Sequence, residues 1–320
     1  NLKTEGQEDC LYLNVYTQFV SNENEIKKKK KLPVMVYVHE GGWFSGSANS
    51  DFVGPTYIID HQVVLVTFNY RLGVFGFLST GTDEAVGNWG VRDALQVLKW
   101  VQNNIGYFGG DKNKVTVFGQ SAGAATIHYM ILSDLSKGLF HSAIMQSGTA
   151  LCPWATPMDE NLKIARNQAQ FVNCNHSKIS DMIECLRKVD AYKLSDSENH
   201  FKVWDVEPLT LYRPCVEKRS SKNLNPLIEK SPLEIIQSGK IPNKVPIVLG
   251  VVENESGVRS AAILSSPKLL EDIENNFDEL GPFMYGVSLS VSGKEEQDDF
   301  WNSLKSEYNL EDFFLSKNPN

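Results

Sequence analysis

The sequence predicts an α/β fold with a mostly parallel central sheet and helices on both faces. Two observations carry this prediction. Short, valine-rich apolar runs recur along the chain, and segments with apolar residues at helical spacing separate several of them. Apolar runs of this kind are typical of strands buried on both faces. Their alternation with helices indicates a mostly parallel sheet.

The predicted elements follow one another in a regular order. Leu11 to Tyr16 alternates polar and apolar residues, as a half-exposed strand does, whereas Pro33 to His39 and Val63 to Phe68 are apolar runs. Asn88 to Ile105 has apolar residues at helical spacing and is predicted to be a helix. The remaining elements are a strand, a helix and two strands: Lys114 to Phe118, Ser121 to Leu132, Ser142 to Met145 and Val245 to Val251. Active sites in such sheets lie at the carboxyl ends of the strands, so we expect functional residues just after residues 38, 118 and 251.

Composition and charge exclude some classes of partner. The chain has 320 residues, of which 42% are hydrophobic and 22% are charged, as is ordinary for a globular protein. Its net charge of -8 argues against a nucleic-acid partner. No apolar stretch approaches the ~20 residues that span a bilayer, so we expect no integral membrane segment. The basic run Lys27 to Lys31 is interpreted as a solvated loop, with a heparin-like or membrane-surface contact as the alternative.

The cysteines and one sequon favour a secreted protein. Of the five cysteines, Cys174 and Cys185 are the best intramolecular pair, because a disulfide there closes a short loop. The glycosylation sequon Asn175-His176-Ser177 lies inside that loop. A second sequon, Asn254-Glu255-Ser256, is interpreted as chance. The chain opens with Asn1-Leu2-Lys3 rather than with a signal peptide, which suggests a mature or truncated chain.

A G-x-S-x-G motif lies between a predicted strand and a predicted helix. The motif is Gly119-Gln120-Ser121-Ala122-Gly123, directly after the strand that ends at Phe118. Its glycines allow a strained turn that brings the helix close to the strand and leaves the serine hydroxyl exposed. We predict that Ser121 is a nucleophile. The alternative is a glycine-containing turn with an incidental serine.

A glycine-containing loop follows the strand that ends at Val38. Its sequence is His39-Glu40-Gly41-Gly42-Trp43. Acyl transfer requires stabilisation of an alkoxide, and backbone N–H groups provide it well. We therefore predict an oxyanion hole formed by the amides of Gly41, Gly42 and Ala122. The alternative is an ordinary tight turn.

Together these motifs resemble the type-B carboxylesterase/lipase family, and the sequence is most similar in character to insect carboxylesterases. The matching strings are Glu8-Asp9-Cys10-Leu11-Tyr12-Leu13-Asn14, the H-x-G-G-W loop, Asn69-Tyr70-Arg71-Leu72-Gly73, Phe108-Gly109-Gly110-Asp111, the GQSAG elbow and Met145-Gln146-Ser147-Gly148. The resemblance covers nearly the whole chain. It implies one α/β-hydrolase domain over residues 1–320, incomplete at both ends, that hydrolyses carboxylic esters through a serine acyl-enzyme. It also implies no metal and no organic cofactor.

The resemblance implies that Glu255 is the acid of a catalytic triad. The family carries this acid in a string that corresponds here to residues Gly250 to Gly257. The acid would hold the tautomer of the catalytic histidine and stabilise the imidazolium. Glu253 is the competing candidate, and a plain surface carboxylate is the other alternative. Ser256 replaces the family's glycine after the acid.

Two substitutions and the cysteines bear on the site. Glu40 replaces the first glycine of the family's HGGG loop and adds a charge there. Gln120 stands where cholinesterases have glutamate, so we expect a neutral ester rather than a choline ester.

The resemblance also makes Cys174–Cys185 the family's second disulfide and leaves Cys10 unpaired. Cys152 and Cys215 are expected to be small buried residues, with pairing as the alternative.

The catalytic histidine implied by the resemblance is expected outside these residues. All six histidines precede Glu255, whereas this fold orders its triad serine, acid, histidine. For the same reason we interpret His39 as structural. We expect a fragment truncated at both ends that does not turn over substrate. The intact protein is expected to hydrolyse a small-molecule carboxylic ester. The alternatives are a non-catalytic esterase-like adhesion or binding module and a degraded gene product.

Overall fold

The computed structural model describes residues 4–18, 30–51, 53–255, 257–287 and 293–310. Its strands are β1 (Leu13–Tyr16), β2 (Leu32–Val38), β3 (Val64–Phe68), β4 (Gly110–Gln120), β5 (Ser142–Gln146) and β6 (Ile247–Gly250). Its α-helices are α1 (Gly73–Phe77), α2 (Trp89–Asn104), α3 (Ala122–Ile131), α4 (Asn161–Phe171), α5 (Ile179–Leu186), α6 (Ala191–Asp196), α7 (Pro232–Gln237), α8 (Gly257–Leu264), α9 (Pro267–Asn275), α10 (Phe277–Met284) and α11 (Lys294–Tyr308). Short 3₁₀ helices cover Ile58–His61, Ile105–Phe108, Asp134–Ser136 and Ser197–Phe201.

The strands form one sheet in the order β1-β3-β2-β4-β5-β6. β1 is antiparallel to β3, and every other neighbouring pair is parallel. All five residues of β3 are buried, so helices or loops cover both faces of the sheet there. The predicted fold class is therefore confirmed: a mostly parallel sheet flanked by helices.

Two helices carry the sequence signals that predicted them. In α2 the apolar residues at helical spacing face the core, and Val91, Leu98 and Val101 are at most 1% exposed. Every residue of α3 except His128 is buried, so this helix is surrounded by protein on nearly all sides. α3 contacts β4, β5 and β2, which places it across the middle of the sheet.

The last strand departs from the prediction of a sheet covered on both faces. The apolar composition of β6 predicts burial, yet all four of its residues are exposed, with Val248 at 62% and Leu249 at 57%. β6 pairs with β5 on one side and is the edge of the sheet in the described part of the chain. Its apolar side chains therefore lack the packing partners that strands inside the sheet have.

The chain divides into two compact units. The first contains the described residues up to His200 and the segment Thr210–Val251, and it includes the whole sheet. The second contains Phe201–Leu209 and the described residues from Val252 onward. Its core is formed by Ile263, Ile273 and Leu280. The single domain predicted for residues 1–320 stays a prediction.

The disulfide predicted from the spacing links the segment after α4 to the C-terminal end of α5. Cys174 and Cys185 form a disulfide with a Cα–Cα distance of 5.6 Å, and Asn175 of the sequon is exposed. Cys10, Cys152 and Cys215 are free, and only Cys215 is buried. The expectation of burial is therefore wrong for Cys152, which is half-buried because it lies in an irregular segment after β5.

Two expectations concern charge and membranes. Lys27, Lys28 and Lys29 of the basic run lie outside the described residues, while Lys30 and Lys31 are exposed. Among the described helices none combines the length and the apolar composition that crossing a bilayer requires.

Partial burial of a histidine in α3 predicts a stability change with pH. Desolvation of the ring lowers the pKa of His128 below 6.5, and its Nδ1 accepts a hydrogen bond from the Ala150 N–H at 3.2 Å. As the pH falls through 6.5, the unfolded chain therefore binds this proton more readily than the folded chain does. Stability should fall as the pH drops, by at most about 1.4 kcal/mol per pH unit for this group. We expect His128→Asn, whose side-chain oxygen can replace Nδ1 as the acceptor, to reduce the drop in melting temperature between pH 7.5 and 5.5. An unchanged pH response would contradict this assignment.

Candidate active site

Ser121 occupies a strained turn between β4 and α3. Its backbone angles are φ 52° and ψ -122°, a conformation rare for a residue with a side chain. The turn is held by a 2.9 Å hydrogen bond from the Ser121 N–H to the Gln146 carbonyl and by another from the Ala125 N–H to the Ser121 carbonyl. Ser121 is half-buried, and no hydrogen bond from its hydroxyl is found among the described residues. The serine is thus fixed in its backbone and reachable from outside.

Three glycines surround this turn where side chains would collide with backbone. A Cβ on Gly119 would lie 2.6 Å from the Val38 carbonyl oxygen, and one on Gly123 would collide with that same oxygen. A Cβ on Gly148 would collide with the carbonyl oxygen of Ser121 and lie 3.0 Å from its carbonyl carbon. The two motif glycines were predicted to let the helix approach the strand closely. In the structure both glycines lie against the backbone at the end of β2. Gly148 packs against the serine itself.

The loop after β2 turns back tightly through consecutive left-handed residues. Gly41, Gly42 and Trp43 have φ values of 108°, 60° and 63°. The Gly41 carbonyl accepts hydrogen bonds from the N–H groups of Phe44 and Ser45, at 3.1 Å and 2.9 Å. This geometry suits glycine because a Cβ on Gly41 would collide with the Ser45 carbonyl.

The sheet register brings this loop and the serine together at the carboxyl ends of the strands. Val38, the last residue of β2, pairs with Gly119, and Gln120 pairs with Gln146 of β5. A Cβ on Gly123 would lie 2.8 Å from the His39 carbonyl, so the first turn of α3 touches the start of the loop. The residues that the sequence placed after positions 38 and 118 are therefore neighbours.

Three backbone amides in this region have no hydrogen-bond partner among the described residues. In the part of the chain that the structure describes, no hydrogen bond is found from the N–H of Gly41, Gly42 or Ala122. Ala122 is fully buried, and a buried amide without a partner is costly unless water or a ligand oxygen pairs with it. These are the amides that the sequence suggested as an oxyanion hole.

The carboxylate of Glu40 accepts a hydrogen bond from a neighbouring side chain. A Glu40 carboxylate oxygen accepts a 2.6 Å hydrogen bond from the Tyr37 hydroxyl. Burial, together with this carboxylate, raises the pKa of Tyr37, so the hydroxyl keeps its proton. Glu40 thus lies in the loop, directly before Gly41, and its carboxylate is hydrogen-bonded to a tyrosine.

His39 has the surroundings of a structural residue. It is 2% exposed, its ring stacks on Tyr70 at 4.2 Å, and the Tyr70 hydroxyl donates to the His39 carbonyl at 2.9 Å. Burial lowers its pKa, and its Nδ1 contacts the Glu40 carbonyl at 2.7 Å. A carbonyl only accepts, so Nδ1 carries the proton of the neutral ring.

The other histidines also hold local positions. Nδ1 of His128 and of His141 accepts from a backbone N–H, and His200 stacks on Phe171. His61 and His176 are exposed. No described histidine forms a hydrogen bond with the Ser121 hydroxyl.

The predicted acid lies in the second unit, beyond β6. Glu255 is exposed, and its carboxylate accepts a 3.0 Å hydrogen bond from the Val252 N–H. Glu253, its competitor, is also exposed. Ser256 lies outside the described residues. The role of Glu255 stays a prediction.

Two contacts at the site were not predicted from the sequence. The Trp43 indole N–H donates to the Thr126 hydroxyl, and Gly148 packs on Ser121. The Ser-Gly pair at 147–148 is a turn signal in the sequence, but it does not show which residue the turn approaches. Among the described residues there is also no group of three or more His, Cys, Asp or Glu that could hold a metal ion.

Comparison with known proteins gives consistent matches along nearly the whole chain. The carboxylesterase family model matches residues 1–318. The chain is 42% identical over 318 residues to a juvenile hormone esterase of Tribolium castaneum, covering 98% of this chain and 52% of that protein. It is 38% identical to venom carboxylesterase-6 of Apis mellifera, covering 90% of this chain and 50% of that protein. The chain thus spans about half the length of the curated relatives it matches.

A solved structure is similar as well. The crystal structure of juvenile hormone esterase from Manduca sexta, with OTFP covalently attached, superposes with a TM-score of 0.78 at 29% identity. The similarity covers 94% of this chain and 55% of that one.

The close approach at Gly123 predicts a large effect of adding one methyl group. Gly123 has an ordinary helical φ, so Gly123→Ala introduces only the collision with the Val38 carbonyl. We expect a loss of about 1–3 kcal/mol or more in the free energy of unfolding, because the core there cannot expand without moving β2 or α3. Gly250→Ala is the matched control, since a Cβ there meets nothing within 4 Å. Equal melting temperatures for the two variants would contradict the packing described here.

Proposed function

The chain belongs to the carboxylesterase family, as its motifs predicted, and we propose that it carries the nucleophile and oxyanion hole of a serine ester hydrolase. The observation that supports the proposal is that the strained turn of Ser121 and the loop of Gly41 and Gly42 follow the ends of the paired strands β4 and β2. Among the described residues the amides of Gly41, Gly42 and Ala122 have no hydrogen-bond partner. A hydroxyl beside several free amides is the arrangement that acyl transfer requires.

The proposed reaction follows from these groups. The Ser121 oxygen attacks the ester carbonyl carbon and gives its proton to a general base. The carbonyl oxygen becomes an alkoxide, which accepts hydrogen bonds from the three amides. Its collapse expels the alcohol, which takes the proton from the base, and leaves an acyl group on Ser121. Water, activated by the same base, then releases the carboxylic acid.

We propose that the base is a histidine outside these 320 residues and that Glu255 orients it. The six histidines present are engaged elsewhere or exposed, which supports the first part. The family string around Glu255 supports the second. On this proposal the 320-residue chain alone does not turn over esters.

The substrate proposed is a neutral carboxylic ester. Gln120 is the last residue of β4, directly before the serine, and pairs in register with Gln146, so neither position adds a negative charge to attract a choline cation. Secretion as a glycoprotein is a further proposal. It is supported by the Cys174–Cys185 disulfide, by the exposed Asn175 beside it, and by a relative named as a venom carboxylesterase.

We expect the full-length protein to hydrolyse p-nitrophenyl esters in a reaction that depends on Ser121. Ser121→Ala should lower kcat/KM by about 10⁴-fold or more, because the nucleophile is lost. Ser303→Ala, at an exposed serine of α11, is the control and should equal the wild type. A well-folded full-length protein without such activity and without organophosphate labelling at Ser121 would favour the non-catalytic binding module.

Paired substitutions test the choice between the two acidic residues. Glu255→Gln in the full-length protein should lower kcat by about 10³–10⁴-fold, because an amide cannot stabilise the imidazolium or hold its tautomer. Glu253→Gln, two residues away, should change kcat less than threefold, since an exposed carboxylate outside the triad contributes little. The reverse ranking would assign the role to Glu253.

A further inference from the structure

One hydroxyl group connects the two sides of the proposed oxyanion hole. The Trp43 indole N–H donates to the Thr126 hydroxyl at 2.9 Å, and that hydroxyl donates to the Ala122 carbonyl at 2.8 Å. Trp43 directly follows Gly42, and Ala122 carries the third amide. We propose that Thr126 is a positioning residue that fixes the glycine loop relative to the first turn of α3. This proposal rests on the proposed function.

The direction of both hydrogen bonds is fixed by the chemistry of the groups. An indole nitrogen can only donate, and a carbonyl oxygen can only accept. The single hydroxyl proton of Thr126 therefore goes to Ala122, and an oxygen lone pair receives the Trp43 N–H. All three groups are buried, with Thr126 at 1% exposure, so water does not compete.

The contacts of Trp43 hold its side chain in place, so its bond to Thr126 also fixes the backbone of the glycine loop. Its side chain is fully buried and packs against Phe77 and Trp154, with ring centroids 5.9 Å and 5.7 Å away. Its carbonyl accepts from the Gly73 N–H at 2.7 Å. Its φ of 63° is unusual for a residue with a large side chain, so the surrounding contacts must hold it there. Movement of the indole would therefore move the backbone that continues into Gly42.

The second hydrogen bond of Thr126 distinguishes it from an ordinary buried threonine in a helix. It lies four residues after Ala122, which places its hydroxyl over the first turn of α3. A threonine hydroxyl bonded to the carbonyl four residues back is common in helices and needs no further partner. The second bond, to a tryptophan 83 residues away in sequence, is the one that joins the loop to the helix.

The two amide donors on the loop and the one on the helix must converge on one oxygen atom to stabilise it. A displacement of either side lengthens hydrogen bonds that matter most in the transition state and little in the bound ester. A positioning role therefore predicts a loss in kcat with KM nearly unchanged. A role limited to filling space predicts a loss of stability without this selective effect.

The test compares Thr126→Val with Thr126→Ser in the full-length protein. Valine keeps the shape and removes the hydroxyl, whereas serine keeps the hydroxyl. We expect Thr126→Val to lower kcat for a p-nitrophenyl ester by about 10–100-fold, with KM changed less than threefold. The inhibition constant of a trifluoromethyl ketone, whose adduct places an oxyanion in the same position, should rise by the same factor as kcat/KM falls. Thr126→Ser should recover most of the activity.

A second variant removes the other partner. Trp43→Phe keeps an aromatic ring and lacks the N–H, so it should lower kcat in the same selective way. Adding Thr126→Val to Trp43→Phe should cost less than it does in the wild type, because the bond between them is already absent. This variant carries the test if Thr126→Val does not fold.

The outcomes separate this inference from the proposed function. Wild-type kcat in a folded Thr126→Val, while Ser121→Ala abolishes activity, would overturn the positioning role alone. Equal losses in Thr126→Val and Thr126→Ser, or a change in KM with kcat preserved, would overturn it as well. Absence of Ser121-dependent activity in the wild-type full-length protein would instead remove the proposed function, and the positioning role with it.

Discussion

The structure of the site depends on one close contact: the first turn of α3 lies against the carbonyl oxygens at the end of β2. The contact exists because Gly119 and Gly123 have no side chains where they face Val38. It brings a helix start, a strained serine and a glycine loop into one small volume. A larger residue at either position would separate the two elements and move the start of the glycine loop away from the first turn of α3.

Several weaker constraints support this contact from different directions. The parallel register aligns the ends of β2, β4 and β5, while Gly148 lets the segment after β5 close on the back of Ser121. The positive φ of Ser121 is a strained conformation that this packing maintains, at a cost on the order of 1–3 kcal/mol. Rigid elements on all sides are what a preformed oxyanion site requires, because its donors must not reorganise during the reaction.

Features formed by residues close together in the sequence could be predicted from it, whereas contacts between residues far apart in the sequence could not. The strand–turn–helix around Ser121 was recognisable because valine runs, two glycines and a helical segment lie next to each other. The Cys174–Cys185 pairing was also recognisable, since only ten residues separate the two. The bond between Trp43 and Thr126 was not, because donor and acceptor are 83 positions apart in the sequence. The exposure of β6 contradicts its apolar composition for a similar reason: burial is set by neighbours, which the strand's own residues do not specify.

A crystal structure of the full-length protein with a covalently bound trifluoromethyl ketone tests the central claim most directly. The account predicts a bond from the Ser121 oxygen to the ketone carbon. The former ketone oxygen should lie about 2.7–3.1 Å from the amide nitrogens of Gly41, Gly42 and Ala122. An adduct on another residue, or an oxygen directed away from these amides, would contradict it.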